Sequence, residues 1–99
     1  MIGIDSTATK ILEHYGQSKQ EIQAVQELSE LIILLAARKD QRKRGYVDHV
    51  AEEIADSFIM IEQIRIAHGI QDKQINSVIV QKLSRQLGRI EKEKQENEI

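Results

Sequence analysis

The chain has 99 residues, a formal net charge of −2, 40% apolar and 30% charged residues, and neither cysteine nor proline. That balance excludes a disordered or membrane-spanning chain, and 99 residues allow one domain at most, small enough that help from a partner subunit is expected. A negative charge with only Tyr15, Tyr46 and Phe58 as aromatics speaks against a nucleic-acid binder, and the lack of cysteine removes disulfides, thiolate nucleophiles and cysteine-bound zinc. The longest apolar run, Leu31 to Ala37, is too short for a bilayer and the N-terminus has no signal-like core, so a cytoplasmic protein without membrane contact is expected.

Apolar residues recur at helical spacing and strand-like alternation is absent, which predicts an all-α chain of four helices. The first runs from Asp5 or Ser6 to Tyr15, with Ala8, Ile11, Leu12 and Tyr15 on one face and Gly16 as its stop. The second begins at a capping box, Ser18-Lys19-Gln20-Glu21, and continues to about Lys39. A connection carrying Arg38, Lys39, Arg42, Lys43 and Arg44 follows and ends at Gly45; it reads as a solvated loop. The third helix spans Val47 or Asp48 to His68, closed by Gly69. The fourth is capped by Asp72, carries Ile75, Val78, Ile79, Leu83, Leu87 and Ile90, and frays over residues 91–99. Short connections make helices two and three an antiparallel hairpin.

Two pairs of carboxylates stand out. Residues three apart share a helix face, so Glu27 with Glu30 and Glu53 with Asp56 each form a pair, and each pair is followed on its stripe by an apolar residue, Leu34 or Met60. Just beyond the acids both helices turn apolar all round, as in Leu31-Ile32-Ile33-Leu34-Leu35 and Phe58-Ile59-Met60-Ile61. The carboxylates therefore border a buried region, where charge needs a cationic partner. Counted from the hairpin connection, the two pairs lie within about one helical turn of each other in height. Four converging carboxylates repel one another unless a cation joins them, and an all-oxygen donor set selects magnesium, with manganese as a substitute. Lys82, Arg85 and Arg89 follow at i, i+3 and i+7 on the fourth helix, as a phosphate-facing row or a solvated basic face.

At these residues the chain resembles the MazG-like, all-α nucleoside triphosphate pyrophosphohydrolases, especially the small versions encoded in phage and prophage genomes. The resemblance covers about Tyr15 to Lys94. It rests on the ExxE segment Gln26-Glu27-Leu28-Ser29-Glu30-Leu31, the ExxD segment Glu52-Glu53-Ile54-Ala55-Asp56, Tyr15-Gly16 with Gln20 ahead of the first, Ile59-Met60-Ile61-Glu62-Gln63 after the second, and Lys82-Leu83-x-Arg85-Gln86-Leu87-x-Arg89-Ile90. Gln26 stands where that family often has a glutamate, and Gln86 where an asparagine is common.

The resemblance implies a four-helix bundle completed by oligomerisation, as a homodimer or homotetramer. It implies magnesium held by Glu27, Glu30, Glu53 and Asp56, and a nucleoside triphosphate split into monophosphate and pyrophosphate. Lys82 and Arg89 match phosphate-contacting positions in that family; Arg85 and Gln20 complete the expected substrate-binding set. Such hydrolysis needs charge neutralisation, an aligned water and a base, which magnesium and one free carboxylate would provide. Glu27 and Glu30 are both candidates for the base.

His14, His49 and His68 fall on separate predicted helices, without zinc-protease spacing, and read as surface or helix-end residues. Serine catalysis has no strand-turn-helix elbow to stand on. Two other readings remain open on the sequence: a non-catalytic helical interaction or regulatory module, and nucleic-acid contact through the basic connection.

Overall fold

A computed structural model describes residues 3–37 and 41–98. Its secondary structure is four α-helices, α1 Asp5–Tyr15, α2 Gln17–Ala36, α3 Tyr46–Ala67 and α4 Asp72–Asn97, with no strand among the described residues. The chain divides into two compact units, Met1–Gly69 and Ile70–Ile99. Among the described residues no helix is long and apolar enough to cross a membrane.

In the first unit α2 and α3 pack most extensively, and α1 lies against both, more on α3. The α2–α3 pair is antiparallel, because Gln20 meets Gln63 near one end while Leu34 and His49 share a cavity near the other. The buried residues of α3 include Glu53, Ser57 and Met60, at the i, i+4, i+7 spacing of one helix face. Ala8 of α1 and Ala24 of α2 are nearly inaccessible; small side chains let helix backbones approach closely there.

Glycines set the helix limits. Gly16 has φ 89° and serves both as C-cap of α1 and N-cap of α2. α2 therefore starts at Gln17, one residue before the predicted capping box, and no side chain caps it; Ser18 lies inside the first turn. The predicted end at Lys39 falls outside the described residues, and α2 stops at Ala36. Gly45, at φ 82° in the left-handed region, caps α3 one residue earlier than expected.

An ion cluster fastens α1 to α3. Arg65 Nη2 lies 2.9 Å from Asp5 Oδ2 and also pairs with Glu62 Oε1, to which Arg65 Nε donates at 2.6 Å. Glu62 is fully buried, so this arginine answers a charge that water cannot reach.

The second unit is α4 itself. It begins at Asp72 with Gln71, not Asp72, as its N-cap. It continues through Asn97, so residues 91–97 are helical where the sequence suggested fraying. None of its residues is buried, and Val80, Leu83 and Leu87 are exposed.

Candidate functional site

Antiparallel packing turns two local acidic pairs into one group. Glu27 and Glu30 lie a helical turn apart on α2, and Glu53 faces them from α3. Each offers a carboxylate oxygen within 4.8 Å of the others. Their environments differ. Glu30 is exposed, Glu27 half-buried and Glu53 buried, at 8% relative exposure. Gln23 Nε2 donates to Glu27 Oε1 at 2.9 Å, which fixes that carboxylate along its own helix. The Glu30 carboxylate has no hydrogen bond or ion pair among the described residues. Glu53 Oε1 sits 3.4 Å from His49 Nε2, while Glu53 Oε2 is buried with no hydrogen-bond partner.

An orphaned carboxylate oxygen in a group of three acids is an uncompensated arrangement, since burial disfavours charge that nothing neutralises. A hard divalent cation fits it: the donors are all oxygens, they converge, and one of them lacks any donor of its own. Glu30 and Glu53 line a cavity of about 400 Å³ with Ile33, Leu34, Ala37 and His49.

The fourth expected ligand stands apart. Asp56 is exposed and does not join the group of Glu27, Glu30 and Glu53. The reason lies in the helix rows. The inward row of α3 passes through Glu53, Ser57 and Met60, and Asp56 sits about 100° around the helix from Ser57.

Gln20, expected among the substrate-binding residues, is buried and donates its side-chain amide to Gln63 Oε1 at 2.8 Å. It lies seven residues, roughly 10 Å along α2, from Glu27, and its amide serves the helix interface. Lys82, Arg85 and Arg89 are exposed on α4, in the second unit.

Compared with known proteins, the chain matches no family model, no curated protein and no solved structure. The chemistry must therefore be read from the side chains themselves.

Three residues escaped the sequence reading. His49 read as a surface histidine, yet it lines the cavity beside Glu53; the signal was its i, i+4 spacing from Glu53, which puts both on one stripe. Lys43 and Arg44 read as parts of a solvated loop. They line a second cavity of about 260 Å³ with Leu34, Gly45, Tyr46 and His49. Arg38 and Lys39 of the same basic cluster lie outside the described residues.

Proposed function

We propose that this chain is a magnesium-dependent nucleoside triphosphate pyrophosphohydrolase, similar to the MazG-like enzymes, with Glu27, Glu30 and Glu53 as its metal-binding group. The observation that carries the reading is Glu53: a buried carboxylate with a partnerless oxygen, converging with two other carboxylates at an open cavity. A bound magnesium would supply charge neutralisation and lower the pKa of a water placed against the phosphate.

The residues divide the remaining work by environment. Glu53 is held in place by burial and by His49, and Glu27 by Gln23, so both suit ligation, which needs fixed donors. Glu30 is exposed and unpartnered among the described residues, which favours it as the group that takes the proton from the attacking water. Asp56, on the neighbouring row of α3, would complete the donor set once a cation draws it in. Phosphate contact by Lys82, Arg85 and Arg89 rests on the family resemblance alone. Action in the cytoplasm belongs to the same proposal.

Assembly into a homo-oligomer is also proposed. Ile22, Val25, Ile32 and Ile33 on α2 are each between 63% and 67% exposed, an apolar surface that a second copy would cover. The same surface supports the alternative, a non-catalytic interaction module.

Pyrophosphate release from a panel of ribo- and deoxynucleoside triphosphates, with and without magnesium, tests the reading. We expect magnesium-dependent release that falls by about two orders of magnitude or more in Glu53→Gln and Glu30→Gln. Absence of turnover with every nucleotide would favour the interaction module.

A further inference from the structure

The acidic cavity has a basic neighbour. Leu34 and His49 line both, so the cavity of Glu30 and Glu53 adjoins the one lined by Lys43, Arg44, Gly45 and Tyr46. Together they reach the size of a small-ligand site, roughly 300–1,000 Å³. Across the shared wall the charge changes sign. Neither the Arg44 nor the Glu30 side chain has a hydrogen bond or ion pair among the described residues.

The turn that carries the basic side chains is defined. Tyr46 N–H donates to the Lys43 carbonyl at 3.2 Å and His49 N–H to the Gly45 carbonyl at 3.0 Å, which ties Lys43 and Arg44 to the start of α3. Gly45 is needed there for its left-handed φ of 82° and not for space, since a Cβ at that position would meet nothing within 4 Å. No side chain caps α3, so none competes for its first-turn amides. Asp48, exposed in the same turn, is the one opposing charge of that turn.

Adjoining cavities of opposite charge suit a ligand that carries both signs, as a cation complexed to a chain of phosphates does. We propose that Lys43 and Arg44 form a polyphosphate-binding arm beside the carboxylates, taking phosphate oxygens remote from the metal, so that the site reads the length of the phosphate chain. The inference rests on the metal-site reading above. A bidentate guanidinium at Arg44 recognises two phosphate oxygens at once, and Lys43 adds a point charge. A triphosphate spans both cavities; a single phosphate engages one.

Calorimetric titration of the full chain with inorganic tripolyphosphate and with orthophosphate, each with and without Mn²⁺, tests this. We expect tripolyphosphate to bind much more tightly than orthophosphate, and Arg44→Gln and Lys43→Gln each to weaken it by about tenfold. Mn²⁺ binding, followed by electron paramagnetic resonance, stays unchanged in both variants, and so does the helical circular dichroism. Unchanged tripolyphosphate affinity in the double variant overturns the proposal. So does a loss confined to oligonucleotide binding, which would make the turn a nucleic-acid contact. Failure of the metal reading is separable: the chain would then bind no Mn²⁺ while Arg44-dependent tripolyphosphate binding persisted.

Discussion

Gln20 donates its side-chain amide to Gln63 Oε1 across 2.8 Å, and both glutamines are buried between α2 and α3. Gln63 Nε2 turns in its own helix toward the Ile59 carbonyl, at 3.5 Å. The pair sets the register of the two helices that carry the carboxylates. Replacing Gln20 with leucine leaves the Gln63 oxygen without a donor in a dry interface. The expected cost is about 1–3 kcal/mol in urea unfolding. Because the residue is structural, metal affinity should hold in the folded fraction; a variant as stable as the wild type would contradict this.

Arg65→Met strands the buried Glu62 carboxylate and should destabilise the chain by about 3–5 kcal/mol. Asp5, also paired with Arg65, is half-exposed and tolerates the loss. The double variant Glu62→Leu, Arg65→Met removes the stranded charge as well, and its urea midpoint should recover most of the difference. A double variant no better than the single one would show that Arg65 acts through packing of its stem.

At the proposed metal group, Glu53→Gln should abolish Mn²⁺ binding, whereas Asp56→Asn should weaken it less, since Asp56 stands outside the convergent trio. Equal losses would place Asp56 among the primary ligands.

Glu21 supplies a test at acid pH. The Gln17 side-chain amide donates to it at 3.0 Å and, with a smaller contribution from His68 at 3.1 Å, holds its carboxyl below the usual glutamate value. A carboxylate whose pKa is lowered by folding adds stability that is complete above its unfolded pKa and disappears as the pH falls through the folded value. Gln17→Ala should therefore move the Glu21 titration, followed by carboxyl carbon NMR, upward toward the ordinary value. No upward movement would remove the hydrogen bond as the cause.

Light scattering should find a dimer or larger assembly, and Ile32→Glu should dissociate it, because Ile22, Val25 and Ile32 lie on one outward stripe of α2. A monomeric wild type at micromolar concentration would end that expectation.

The helices were legible because their signals are local. Apolar spacing and the glycines at 16, 45 and 69 act within a few residues, and the structure places the start of each helix close to its expected position. The capping box at Ser18 misled because Gly16, with its positive φ, had already broken the chain, so α2 could start at once. In the site, sequence spacing brought Glu27, Glu30 and Glu53 to one height, but it could not tell which side of α3 faces inward. That choice shows only in the buried row of α3, Glu53, Ser57 and Met60, which leaves Asp56 exposed. His49, Lys43 and Arg44 needed the hairpin closed before their nearness to the acids had any meaning.

The partnerless oxygen of Glu53 also bears on how the molecule is handled. A group that favours cation binding only in the folded hairpin couples folding to the ionic composition of the solution. With the proposed cation bound, stabilisation would grow with the logarithm of divalent-ion concentration once the site begins to fill, by about 2.7 kcal/mol at a hundredfold excess over the dissociation constant. Chelators would then lower the melting temperature without touching a single side chain, and stability comparisons between variants would be meaningful only at a fixed free-metal level.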